Sequence, residues 1–134
     1  MGILKSIRRF FKMGKIKFDT TILDNSIDIT MSKGNDLIGA CSLDDFPGCC
    51  GITILTGVRI FQDNRDKGYG TRLVQKAIKI AKEREFSLLV ATTNQYTPNM
   101  QHILKKHGFE ELDMTFKNKK TNNTIYQFQL VLNK

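Results

Sequence analysis

Apolar and polar positions alternate with two different periods along this chain. Four strand-like runs come first, Ile16–Leu23, Ser26–Met31, Leu37–Leu43 and the β-branched Ile52–Phe61. Asp24-Asn25 and Lys33-Gly34-Asn35-Asp36 separate the first three, which predicts an antiparallel meander. Asp44-Asp45-Phe46-Pro47-Gly48 reads as a loop before the fourth run, within which Gly57 marks a bulge or bend. The period then lengthens. Leu73, Val74, Ala77, Ile78 and Ala81 recur at three and four residues among lysines and arginines, predicting an amphipathic helix over 69–84.

Phe86–Thr93 shows little alternation and predicts a strand buried on both faces, so strand, helix and strand form a right-handed parallel crossover. Pro98 suits a helix start and Gly108 a helix stop, giving a second helix over 98–107. Two further strands, near Met114–Lys117 and Ile125–Leu130, flank a turn at Lys119–Asn123. The pattern predicts a mixed α/β (α+β) domain with one βαβ unit in a mostly antiparallel sheet.

Composition narrows the setting. A chain of 134 residues suits one domain, and no apolar run approaches the roughly 18 to 20 residues of a membrane-spanning helix. Cys41, Cys49 and Cys50 are odd in number and include an adjacent pair, which favours neither a disulfide framework nor a spaced metal site; no metal is expected, and the reducing cytoplasm is the expected location. Of the net charge of +8, six units come from Lys5, Arg8, Arg9, Lys12, Lys15 and Lys17, all before the first acid. With Ile3, Leu4, Ile7, Phe10 and Phe11 at helical spacing, residues 1–14 form a basic amphipathic segment ahead of a domain at 15–134. Such a segment docks on its own domain, or meets an anionic membrane or a nucleic acid weakly through residues 1–17. Met1-Gly2-Ile3-Leu4-Lys5-Ser6 also fits the loose pattern for myristoylation of Gly2.

Candidate chemistry concentrates in Gln62–Thr71, between the fourth run and the first helix. Gly68 and Gly70 let the backbone bend and approach a ligand. The amide hydrogens opening the next helix lack intrahelical partners and lie at the positive end of its dipole, beside Arg65 and Lys67. A phosphate is the natural occupant. A dinucleotide fingerprint would need glycine where Leu73 stands, and a P-loop would need Gly-Lys-Ser/Thr where Gly70-Thr71-Arg72 stands.

Val58–Leu73 resembles the acetyl-coenzyme A motif of the GNAT superfamily, Arg/Gln-x-x-Gly-x-Gly/Ala, with Arg65, Gly68 and Gly70 in its defined positions. His107-Gly108-Phe109 is similar to the family's Leu-Gly-Phe, and it follows a strand ending in Thr93-Asn94. The resemblance covers about residues 37–131 and implies an N-acetyltransferase with a GNAT-like sheet. Its co-substrate would be acetyl-CoA and its acceptor an amine attacking the thioester directly. It implies that backbone at Val58 and Ile60 pairs with the pantetheine arm and that the N–H of Ile60 or Phe61 faces the thioester carbonyl. Arg65, Asp66, Lys67, Gly68, Tyr69, Gly70 and Thr71 would hold the pyrophosphate, and Asn94 would touch the arm from the other side.

The chain departs from the family at three points. Leu104 stands where many members carry a tyrosine acid, which leaves Tyr96 and His102 as candidate acids. Ile52–Phe61 holds no acid, so the neighbouring Asp44 and Asp45 are the candidate bases, with Asp45 carried forward as a catalytic candidate beside bound water. Strands and short turns replace the two helices of the family's N-terminal region, an open acceptor side that suits a protein or other macromolecule. The alternative is a GNAT-fold module without transfer activity, binding nucleic acid or membrane through its basic segment.

Overall fold

The computed structural model describes residues 15–61, 65 and 67–133; the amphipathic segment 1–14, including Gly2, and also Asp66 lie outside the described residues. β1 (Ile16–Ile22), β2 (Ser26–Lys33) and β3 (Asp36–Asp45) form the expected meander, joined by tight turns, and β4 (Ile52–Ile60) pairs antiparallel with β3 after a loop at 46–51. α1 (Tyr69–Glu83) carries the chain over to β5 (Leu88–Asn94), which pairs parallel to β4. α2 (Pro98–Lys106), β6 (Glu110–Lys117) and β7 (Thr124–Val131) complete a seven-stranded sheet of order β1-β2-β3-β4-β5-β7-β6.

Several boundaries differ from expectation, among them β6, which starts at Glu110 rather than near Met114; two of them have local reasons. β3 runs through Asp44 and Asp45, which pair with Ile54 and Thr53, so these acids belong to a strand rather than a loop. β5 starts two residues late, because α1 closes with Phe86 N–H donating to the Ala81 carbonyl (3.1 Å) while Glu85 takes φ 63°. At the end of α2 the Leu-Gly-Phe-like stretch acts as a stop. Gly108 adopts φ 90°, Phe109 N–H returns to the Leu104 carbonyl (3.0 Å), and the Phe109 ring is buried.

Residues paired across the strands share a face, and the buried ones fall on a single face. Ile29, Cys41, Leu43, Leu55, Leu89, Ala91 and Phe128 pack there with Leu73, Val74, Ala77 and Ala81 of α1 and Leu104 of α2. Fully burying one such aliphatic or aromatic side chain contributes about 1.5–3 kcal/mol, so this layer dominates the stability of the domain. β5 therefore differs from expectation. Leu89, Ala91 and Thr93 are buried, but Leu88 and Val90 are half-buried and Thr92 is exposed, since no helix among the described residues covers the other face. No helix among the described residues is long and apolar enough to cross a membrane.

Candidate functional site

The sheet parts at its centre. β4 and β5 pair from Ile52↔Leu88 to Leu55↔Ala91 and no further, although β4 continues to Ile60 and β5 to Asn94. The cause lies on β4. Its register with β3 slips from Ser42↔Thr56 to Ala40↔Arg59, so Gly57 and Val58 together oppose Cys41, and Gly57 takes φ 61°. That is a β-bulge with glycine in the left-handed region, and it turns the rest of β4 away from β5.

The opening is a cleft of about 930 Å³, lined by Thr56, Gly57, Val58 and Ile60 on one wall and by Thr92, Thr93 and Asn94 on the other. Backbone groups alternate along a strand. Phe61 N–H points to β3 and donates to the Ile38 carbonyl (3.0 Å), which leaves Ile60 N–H directed at the cleft. Of the two expected carbonyl partners, Phe61 is thus committed elsewhere, and it does not line the cleft.

Two helix starts converge on this opening. α1 begins at Gly68 (φ 78°), which has no side chain to cap the helix, and the first turn carries no acid. Arg65 lines the mouth with its Nε donating to the Ile60 carbonyl at 3.4 Å, and Tyr69, Gly70 and Thr71 line it too. A Cβ added at Gly68 would meet nothing within 4 Å, so glycine is needed there for its backbone angle and for leaving the mouth clear. At Gly70 a Cβ would lie 3.4 Å from Ile103 Cδ1, so this glycine lets α1 and α2 approach closely beside the cleft. Lys67 does not line the cleft.

α2 is likewise uncapped: Thr97 turns its hydroxyl back to the Asn94 carbonyl (3.1 Å) and makes no side-chain cap, and no acid occupies the first turn. The unpartnered N–H groups of both helices give the cleft a positive lining suited to anions. Asn94 lines the wall, but its side-chain oxygen accepts from Tyr96 N–H (2.8 Å), so its carboxamide holds the turn.

Tyr96 and His102 both line the cleft from its solvent side, Tyr96 at 74% exposure. Leu104, at the position of the expected tyrosine, is buried in the lining. Asp45 is exposed and does not line the cleft. Asp44 does not line it either, but it stands one contact behind the wall. Its Oδ2 accepts from Thr56 Oγ1 (3.0 Å), a lining residue, and its Oδ1 from Ser42 Oγ (2.7 Å). Ser42 Oγ also lies 3.1 Å from Asp28 Oδ1, so two carboxylates and two hydroxyls meet on the face without helices.

Cys41 takes no part: burial first, and the charge of Asp28 second, push its thiol up to about 12, which keeps it protonated at neutral pH. Among the described residues no group of His, Cys, Asp and Glu is arranged to hold a metal. Sequence reasoning missed Thr56 and Thr93. Strand register carries them to the cleft, and no local motif marks them.

The sequence profile of the Acetyltransferase (GNAT) family matches residues 7–109. The chain belongs to the GNAT acetyltransferase family. Streptothricin acetyltransferase A of Bacillus subtilis (strain 168) is 36% identical over 59 residues, which are 44% of this chain and 34% of that protein. The matched stretch thus spans about a third of that curated relative.

Solved GNAT structures share the architecture at low identity. The Bacillus subtilis acetyltransferase in complex with CoA superposes with a TM-score of 0.73 at 15% identity, over 88% of this chain and 99% of that one. A GNAT acetyltransferase from Elizabethkingia anophelis with acetyl-CoA bound gives 0.72 at 14% identity, over 87% and 98%. At such identities the likeness establishes the GNAT fold.

Proposed function

We propose that this GNAT protein transfers acetyl from acetyl-CoA to an amine by direct attack, with the parted β4 and β5 as the site. The observation that carries the reading is the cleft itself. A bulge at Gly57 opens it, and it ends at a helix start whose N-cap, Gly68, has no side chain and whose first helical turn carries no acid.

The lining fits the co-substrate. A pyrophosphate suits the N–H groups of Tyr69, Gly70 and Thr71, with Arg65 adding a guanidinium at the mouth. The wall at Val58 and Ile60 offers free strand backbone to an extended amide-bearing arm, and Ile60 N–H is positioned to stabilise charge developing on a carbonyl oxygen. Acetyl-CoA supplies an activated acyl carbon when bound. The chain's own residues hold it, orient it and receive the amine, and positioning of this kind supplies a large share of the rate.

Asp44 is the acceptor-side residue in this reading. Two hydroxyl hydrogen bonds fix its carboxylate behind Thr56 of the cleft wall, from where it attracts an ammonium group and takes the proton released on attack. The sheet face around Asp44 and Thr56 carries no helix among the described residues, which favours a lysine or terminal amine on a protein or another macromolecule over a small enclosed metabolite. Thiol release from acetyl-CoA, followed across protein, peptide, polyamine and nucleic-acid acceptors, tests this. Acceptor-dependent release with a peptide or protein supports it, and release only with a small drug-like amine contradicts the acceptor class.

A further inference from the structure

Thr93 carries the buried side-chain polar atom that has no hydrogen-bond partner among the described residues. It is 6% exposed, and among the described residues its Oγ1 meets no donor or acceptor. Thr53 provides the internal contrast: it lies on the same sheet face, also fully buried, but its hydroxyl donates to the Asp44 carbonyl at 3.0 Å. A buried hydroxyl without a partner costs stability and calls for an explanation at the site where it sits. Thr93 sits in the cleft wall. Two residues past the last β4–β5 pair, Leu55↔Ala91, stand Gly57 and Thr93, so the hydroxyl is level with the bulge that opens the sheet. Leu104, which also lines this part of the cleft, offers only carbon.

We propose that Thr93 hydrogen-bonds the sulfur of the coenzyme A thioester and stabilises it as it departs, a catalytic contact that stands in for the acid absent at Leu104. The inference rests on the acetyl-transfer reading above. The inner end of the cleft, away from the phosphate-binding turn, is where the reacting end of an extended arm falls. In the reaction the amine lone pair forms the C–N bond, and the C–S bond breaks with its electron pair going to sulfur. Thr93 keeps its proton and lends it as a hydrogen bond to the thiolate. The proton lost by the amine goes to Asp44 or to solvent, and the thiolate later takes one from solvent.

Calorimetric titration of wild type, Thr93→Val and Thr93→Ser with coenzyme A and with desulfo-coenzyme A tests the contact without relying on turnover. At about pH 9, where most of the thiol is ionised, wild type is expected to prefer coenzyme A over the sulfur-free analogue by about tenfold, the worth of one hydrogen bond to a charged group. Thr93→Val loses that preference while keeping its affinity for desulfo-coenzyme A, and Thr93→Ser retains the preference. Single-turnover acetyl transfer by Thr93→Val falls by about tenfold in step. The unliganded valine variant melts no lower than wild type, since an isosteric methyl replaces a hydroxyl that had no partner. A preference left intact in Thr93→Val, an equal loss of affinity for both ligands, or a lower melting temperature each overturns the contact. Wild type binding neither ligand would instead bring down the acetyl-transfer reading beneath it.

Discussion

The two sides of the cleft are built from different materials. On the phosphate side the working groups are backbone amides, set by Gly68 at φ 78° and by an α1 start without cap or acid. On the side proposed for the acceptor they are side chains from three strands, with Thr56 of β4 in the cleft wall and Ser42 and Asp44 of β3 and Asp28 of β2 behind it, linked at 2.7–3.1 Å. A backbone site tolerates almost any side chain except at the glycine that shapes it, whereas a side-chain site depends on every residue and on strand register. Changes on the first side should therefore abolish binding of the co-substrate, and changes on the second should leave binding intact and alter what is acetylated and how fast.

The largest effect is expected from Gly68→Val. A branched residue at φ 78° is strained by roughly 1–2 kcal/mol, and its side chain covers the amides at the mouth. Acetyl-CoA affinity should fall by about a hundredfold, the worth of one or two hydrogen bonds to a charged phosphate, while circular dichroism stays native because the added Cβ meets nothing within 4 Å. Asp44→Asn should lower kcat/KM for the amine by about tenfold or more, through loss of the acceptor-side carboxylate, with acetyl-CoA affinity unchanged. An equal loss of co-substrate binding would erase the distinction between the two sides. Thr56→Val, which removes one hydroxyl from Asp44, should cost only about three- to tenfold in the same parameter, consistent with a net hydrogen bond of about 1 kcal/mol. Smallest of all, alkylation of the native protein at pH 8 should label the exposed Cys49 and Cys50 and spare Cys41, whose thiol is pushed up to about 12, without loss of transfer activity. Inactivation by that labelling would point to a covalent cysteine route.

The same contrast explains what could be read from the sequence. The change of period at residue 69 and the glycines at 57, 68 and 70 are local signals, and they located the helix, the bulge and the turn. The acceptor side has no local signal. Asp44 and Asp45 are neighbours in sequence with the same chemistry, and only the pairing of β3 with β4 decides that Asp44 faces Thr56. A loop reading of Asp44-Asp45-Phe46-Pro47-Gly48 treated the two alike; the strand separates them. Thr93 was hidden for a related reason. Phe86–Thr93 is uniformly apolar or small, so it implied burial on both faces, and the absence of a covering helix on one of them is a tertiary fact that alternation within the strand does not encode. His107-Gly108-Phe109 was legible as a motif, and its physical role is to end α2 and bury Phe109 in the shared core.

The central claim is that uncapped backbone amides at the mouth of the parted sheet bind the pyrophosphate of acetyl-CoA. Titrating wild type and Gly68→Val side by side with acetyl-CoA, under identical salt, tests it most directly. One binding event per chain is expected for wild type and its loss in a folded Gly68→Val variant; equal binding by the two proteins, or no binding by wild type, would contradict this.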